Sequence, residues 1–180
     1  MVRVWDALVR SLHWILAASM LIAWISGHVL ERWFDEVHHT AGYIAGGVVL
    51  VRVAWGFAGK GHARFASFVR SPRATLAYAR QLRAGREHRY IGHNPLGGWM
   101  VLALLAVTVF LTLTGMLYIS DWLWGYAWLW ALHAGLAWLA LVLLMGHWAG
   151  VGFTSWRHRE NLITSMFSGC KRAASQGDVP

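Results

Sequence analysis

The stretch WLWALHAGLAWLALVLLMGHWAGVGF, residues 128–153, contains no Asp, Glu, Lys or Arg. A helix that crosses a membrane needs about 20 mainly apolar residues, so this stretch predicts a membrane-spanning helix. It also contains two histidines, His133 and His147. Because ionisable residues inside a membrane span are costly and usually functional, the stretch that decides the fold also supplies the first candidates for a site.

Three earlier stretches are equally poor in charge, and the four together predict membrane-spanning helices over 11–30, 37–58, 95–118 and 128–153. We therefore expect an all-α integral membrane protein, a four-transmembrane-helix bundle that forms a single domain over 1–180. The composition agrees, since 57% of the residues are hydrophobic and 13% are charged, whereas a soluble domain has about 25% charged residues. This balance argues against an ordinary water-soluble enzyme.

The basic residues predict which helix ends face the cytoplasm. There are 16 Lys and Arg residues against 8 Asp and Glu residues, a formal net charge of +8. All but two of the 16 lie in the N-terminal segment, in the loop 59–94 or in the C-terminal tail. Since cytoplasmic loops are enriched in Lys and Arg, we predict that both termini and the basic loop are cytoplasmic. The charge then reflects topology and contact with membrane lipid, and nucleic acid is not an expected partner.

Part of the basic loop has the pattern of a short helix. Ser71 is a predicted N-cap, Pro72 suits the first helical position, and Gly85 is a predicted stop. Apolar and arginine side chains would lie on largely different faces. Such a helix either lies on the anionic inner leaflet or is a solvated basic helix.

The histidines inside the predicted spans form two sets by depth. The fourteen residues from His133 to His147 correspond to about 21 Å along a helix and a rotation difference of roughly 40°. They share a face but are too far apart for one metal ion, which excludes a single tetrahedral zinc site. By depth, His147 pairs with His13 on the inner side, and His133 pairs with His38 on the outer side.

Two axial imidazoles from facing helices of a four-helix bundle are what a b-type haem requires, so the sequence predicts two haem sites in the bundle core. His38 is favoured over its neighbour His39 because Gly42 and Arg52 lie on the face of His38. Gly42 would let a porphyrin approach the backbone. Arg52 would either bind a propionate of the inner haem or extend toward the inner headgroups. His39 is the substitute ligand.

A wider set of residues carries a family resemblance by its order and spacing. It comprises Arg10, His13-Trp14, His38, Gly42-Tyr43, Arg52, Trp55-Gly56-Phe57, Gly59, Ala63-Arg64-Phe65, Gly92-His93-Asn94-Pro95, Thr114-Gly115, His133, His147, Trp156, Glu160-Asn161-Leu162, Gly169 and Lys171. With this set the chain resembles the bacterial cytochrome b561 family, which includes hydrogenase-type b subunits. The resemblance implies four transmembrane helices, two haem b groups and electron exchange with membrane quinone. It also implies that His13, His38, His133 and His147 are the iron ligands.

The leading hypothesis is electron transfer across the membrane between ubiquinone or menaquinone and a periplasmic redox protein such as a c-type cytochrome. The inner end of the fourth helix offers a candidate quinone site at Trp156, His158 and Arg159. The outer loops carry Glu31, Asp35, Glu36 and Asp121, which suit a cationic partner or simply follow from topology.

Two other functions compete with this hypothesis. One is a superoxide oxidase that passes electrons to quinone, an activity known within the resembling family. Superoxide is an anion and would need a positive outer funnel, for which the sequence offers only Arg32. The other is a haem-bearing membrane anchor of a hydrogenase or another oxidoreductase complex. A non-redox membrane scaffold would bind no haem at all.

Overall fold

The computed structural model describes residues 1–29 and 35–179, and these are mainly helical. The elements are, in chain order, β1 (Val2–Arg3), α1 (Ala7–His28), α2 (Asp35–Ala58), a 3-10 turn (Gly61–Ala63), α3 (Phe65–Phe68), α4 (Pro72–Arg83), α5 (Pro95–Tyr118), α6 (Ala127–His158), α7 (Leu162–Ser168) and β2 (Cys170–Lys171). Four of the helices, α1, α2, α5 and α6, are long and apolar enough to cross a membrane. The predicted all-α membrane fold with four spans is therefore confirmed.

The first predicted span begins too late. Helix α1 starts at Ala7 rather than at residue 11, because Asp6 accepts a hydrogen bond from the backbone N–H of Val9 at 2.7 Å and so caps the helix. The predicted end at residue 30 lies outside the described residues, as do Glu31 and Arg32 of the outer loop.

The other spans agree more closely with the prediction. Helix α5 has the predicted bounds, and its N-cap Asn94 accepts a hydrogen bond from the N–H of Gly97 at 2.7 Å. Helix α2 begins two residues early, at Asp35, where carboxylates complement the helix dipole. Helix α6 continues five residues past the predicted end, to His158. The prediction covered only the length needed to cross a bilayer, and the helix is longer than that. The next residue, Arg159, has a left-handed φ of 49°.

The short helix of the basic loop is confirmed as α4. The Ser71 hydroxyl oxygen accepts a hydrogen bond from the N–H of Ala74 at 3.3 Å, and Pro72 is the first helical residue. Gly85 follows the helix with φ 66°, a conformation that suits glycine.

The chain divides into two compact units. The first comprises Met1–Arg10, Ala54–Leu102 and Met145–Pro180, and the second comprises Ser11–Val53 and Ala103–Leu144. In the first unit β1 and β2 pair antiparallel, and the indole N–H of Trp55 donates to Asp6 at 3.0 Å. In the second unit the core includes Ala45, Val49 and Leu129, all nearly inaccessible to solvent.

A close helix contact in the second unit gives a stability prediction. A Cβ atom on Gly46 of α2 would lie 2.5 Å from Cγ2 of Thr112 on α5, whereas a Cβ on Gly47 would meet nothing within 4 Å. We expect Gly46→Ala to destabilise the protein by about 1–3 kcal/mol through overpacking. Gly47→Ala is the matched control, and thermal unfolding in detergent measures both. Equal melting temperatures for the two variants would contradict the close contact.

Candidate functional site

The second unit brings together two of the predicted ligands, His38 and His133. His38 lies in the first turn of α2 and His133 in the second turn of α6, and both are partly buried. Their ring centroids are 6.0 Å apart, with an interplanar angle of 75°. The fold therefore places two imidazoles from different helices close together, with their planes nearly perpendicular, near the start of both helices.

The hydrogen bond of His38 fixes which of its ring nitrogens carries the proton. Its Nδ1 lies 2.8 Å from the backbone carbonyl oxygen of Ala23 on α1. A carbonyl oxygen can only accept a hydrogen bond, so Nδ1–H is the donor. In the neutral ring Nε2 then carries a lone pair, which is the state that a metal ligand needs.

A threonine fixes the state of His133 in the same way. Thr114 on α5 donates its hydroxyl hydrogen to the carbonyl oxygen of Phe110 at 2.7 Å. Its oxygen therefore accepts from Nδ1–H of His133, 2.9 Å away. Nε2 of His133 is again left with a lone pair. Hydrogen bonds of this kind orient metal-binding histidines and increase their basicity.

The separation of the two rings fits coordination of one iron. Because a metal ion lies about 2 Å from an imidazole nitrogen, two imidazoles that bind the same ion have ring centres up to about 6 Å apart. The observed centroid distance between His38 and His133 is 6.0 Å. Two neutral imidazoles are also the donor set of a bis-histidine haem. The residues present therefore fit a haem as the bound group.

Glycines make room around both histidines. A Cβ on Gly27 of α1 would lie 2.9 Å from the His38 ring, and a Cβ on Gly115 of α5 would lie 3.3 Å from Cε1 of His133. Gly42, one turn after His38, faces open space, because a Cβ there would meet no atom within 4 Å. The sequence pointed to Gly42 and, through the family motif, to Gly115. The sequence did not indicate Gly27 or the Ala23 carbonyl. A backbone acceptor such as the Ala23 carbonyl cannot be recognised from residue type.

The adjacent histidine has a different environment. His39 is exposed, and its ring centroid is 6.0 Å from that of His38. The ring that meets His133 is thus that of His38, which agrees with the preference for His38 derived from the helix face. Which of the two coordinates iron stays a prediction.

The residues predicted for the inner site belong to different units. His13 lies in the second turn of α1, is partly buried and contacts the Trp14 ring edge-on at 4.9 Å. It belongs to the second unit, whereas His147 belongs to the first. Their pairing remains a prediction from the sequence. Arg52 is buried, with 6% of its surface exposed, and its role stays a prediction.

The three residues of the predicted quinone site follow one another at the end of α6. The Trp156 side chain is 75% exposed, His158 is partly buried, and Arg159 lies just beyond the helix. Positions 156 and 158 are about 200° apart around the helix, so they do not share a face. Between them Arg157, which the sequence did not single out, binds Glu87 at 2.7 Å. This hydrogen bond lowers the pKa of Glu87.

Several residues of the family motif are not candidate ligands, and in the first unit they take part in two sets of polar contacts. Arg89 contacts Glu160 at 2.7 Å and Asp178 at 2.5 Å, and all three side chains are buried. The Lys171 ammonium donates to the carbonyl oxygen of Gly92 at 3.3 Å. Burial lowers the pKa of Lys171 to about 8. These contacts join the basic loop to the C-terminal segment, which gives a structural reason for the motif residues Gly92, Glu160 and Lys171.

Four apolar helices and a facing pair of oriented imidazoles define the class: a multi-pass membrane protein with the donor set of a haem protein. The family model for prokaryotic cytochrome b561 matches residues 4–169, and the chain belongs to that family. It is accordingly a b-type cytochrome with a haem-based electron-transfer role in a membrane.

Several curated relatives bear the name probable Ni/Fe-hydrogenase B-type cytochrome subunit. The one from Rhizobium leguminosarum bv. viciae is 26% identical over 93% of this chain and 87% of its own length. The one from Azotobacter vinelandii is 29% identical over 63% of this chain and 58% of its own length. The one from Bradyrhizobium diazoefficiens is 25% identical over 93% of this chain and 85% of its own length. No solved structure matches the chain significantly.

Proposed function

We propose that the protein carries electrons across the bacterial inner membrane through two haem b groups, between membrane quinone and a periplasmic redox protein. The observation that carries the proposal is the His38–His133 pair, with its 6.0 Å ring separation and two hydrogen-bonded Nδ1 atoms. Each bound haem supplies a one-electron redox centre. The two termini and the basic loop face the cytoplasm in this proposal, as the distribution of Lys and Arg predicts.

The chain's own residues hold and orient these groups. His38 and His133 would hold the outer haem iron through Nε2, and Gly42 would leave room for a flat macrocycle beside the backbone. The Ala23 carbonyl and the Thr114 hydroxyl keep both rings in the coordinating tautomer. His13 and His147 would bind the iron of the inner haem, and Arg52 would bind one of its propionates. The proposed quinone site consists of Trp156, His158 and Arg159.

The hydrogen bond from His133 to Thr114 gives a prediction about haem retention. Thr114→Val keeps the shape of the side chain but removes the acceptor of Nδ1–H. We expect outer haem to be retained about 10–100-fold less tightly, the usual cost of losing a hydrogen-bond partner of a metal-binding histidine. Thr114→Ser keeps the hydroxyl and is the control. Transfer of haem to apomyoglobin, followed by absorbance, measures the loss; equal transfer from both variants would contradict the role of Thr114.

The proposed electron path is tested by reconstitution. The protein is placed in liposomes that hold an oxidised c-type cytochrome on the side of the outer loops, and quinol is added to the membrane. We expect reduction of the c-type cytochrome in wild-type liposomes and its loss in His13→Ala and His133→Ala. Haem reduction by quinol without onward reduction of the c-type cytochrome would contradict a periplasmic acceptor of that kind.

The names of the relatives favour a second candidate, the haem-bearing membrane subunit of a hydrogenase-like complex. In that case the electrons exchanged with quinone come from or go to a stably bound partner. Affinity purification from native membranes in a mild detergent separates the two. A stoichiometric iron–sulfur or hydrogenase subunit supports the complex, and an isolated cytochrome supports a diffusible partner.

A further inference from the structure

An apolar groove runs along the amphipathic helix α4 in the first unit. It has a volume of about 380 Å³, within the range of about 300–1,000 Å³ typical of ligand pockets, and it is lined by Pro72, Thr75, Leu76, Ala79, Leu96 and Trp99. Leu76, Leu96 and Trp99 are 54%, 40% and 41% exposed. The groove therefore exposes large apolar side chains between α4 and the first two turns of α5.

The orientation of α4 is set by its other face. Tyr78 is 4% exposed, and its ring meets that of Tyr90 edge-on at 5.5 Å. Leu76 lies two residues away, on the opposite side of the helix. The far wall of the groove is fixed as well, because the Trp99 indole N–H donates to the carbonyl oxygen of Arg70 at 3.1 Å. Both walls are thus held in place without an occupant.

Arginines continue the face of α4 that lines the groove. Arg80 follows Leu76 by four residues and Arg83 follows Ala79 by four, so each lies one turn beyond a groove residue on the same side. Both are exposed, and the helix PRATLAYARQLR contains no acidic residue. Two exposed arginines thus occupy the helix positions one turn beyond the residues that line the groove.

We propose that this groove binds an anionic phospholipid. An acyl chain occupies the apolar part between α4 and α5, and Arg80 and Arg83 bind the phosphate, for which arginine is well suited by its forked donors. The location supports a lipid, since Leu96 and Trp99 belong to the first two turns of a helix that is long and apolar enough to span the membrane, and tryptophan is enriched at the membrane interface. Basic pockets beside such helices are a known form of lipid headgroup site.

The charge of the site is tested by native mass spectrometry of delipidated protein. Phosphatidylglycerol is compared with phosphatidylcholine of the same acyl chains. We expect a preference for phosphatidylglycerol, and its loss by about 30-fold in R80Q/R83Q, given about 1 kcal/mol per basic residue. The matched control R64Q/R86Q removes two exposed arginines outside α4 and should keep the preference. An equal loss in both double variants would overturn the proposal in favour of general charge.

The apolar part is tested by filling the groove. Ala79→Phe should weaken the binding of both lipids about tenfold or more, while Ala77→Phe, on an exposed face outside the groove, should not. Unchanged phosphatidylglycerol binding in Ala79→Phe would overturn the proposal. Glycerol phosphate added at millimolar concentration should not displace the lipid; displacement would assign the arginines to a free phosphate instead. Haem content serves as the folding check, because none of these residues belongs to the haem sites.

Discussion

Replacing His133 by alanine is expected to reduce the haem content from two groups per chain to one. In the proposed outer site His133 is one of the two imidazole ligands, and its Nδ1 is already engaged by Thr114, so that Nε2 is the atom available to iron. A single remaining ligand, His38, cannot hold a low-spin bis-histidine haem. The pyridine haemochrome assay on purified protein measures this loss.

The same assay on variants of the adjacent residues His38 and His39 distinguishes the two candidate ligands of α2. We expect His38→Ala to lose the outer haem, because the His38 ring meets His133 and is held by the Ala23 carbonyl. His39→Ala should keep both haems, since His39 is exposed. The reverse pattern, with haem lost only in His39→Ala, would overturn the assignment.

The second large effect is expected from the buried ion cluster that Arg89 forms with Glu160 and Asp178 in the first unit. Arg89→Met leaves the carboxylates of Glu160 and Asp178 buried without their cation. Breaking a buried pair in this way costs about 3–5 kcal/mol, so we expect poor accumulation and a strongly lowered melting temperature. Arg86→Met, which removes an exposed charge nearby, is the control and should change stability little. Similar melting temperatures for the two variants would contradict the role of the cluster.

The cluster also predicts a dependence on pH. The pKa of Glu160 is raised by burial but lowered more by the Arg89 hydrogen bond and other contacts, and the pKa of Asp178 is lowered by hydrogen bonds from Ser175 and Arg89. The unfolded chain therefore binds protons at these carboxyls more readily than the folded chain. The free energy of unfolding should fall as the pH decreases below their ordinary values of 4.5 and 3.8. Asp178→Asn should weaken this dependence; an unchanged slope would contradict it.

The parts of the fold that depend on local signals could be predicted from the sequence. The bounds of α5 follow from the cap Asn94, the proline after it and the apolar length. The face of α2 that carries His38 and Gly42 follows from helical periodicity. The end of α6 could not be found in this way, because the helix runs past the apolar stretch to His158.

The parts that depend on tertiary contacts could not be predicted. Nothing in the sequence indicates a role for Ala23, whose backbone carbonyl oxygen on α1 accepts a hydrogen bond from His38 on α2. Arg89 and Glu160 are 71 residues apart, so nothing local relates them. Sequence spacing thus identified histidines as candidate iron ligands. The structure added the hydrogen bonds that place the proton on Nδ1 of His38 and His133.

The central claim is a pair of haem sites in one chain, and the most direct test is the number of haem b groups per chain in purified wild-type protein. Pyridine haemochrome absorbance, divided by protein concentration from quantitative amino-acid analysis, gives this number. Two haem b groups per chain is the predicted result. One per chain in fully loaded protein would contradict the two-site account.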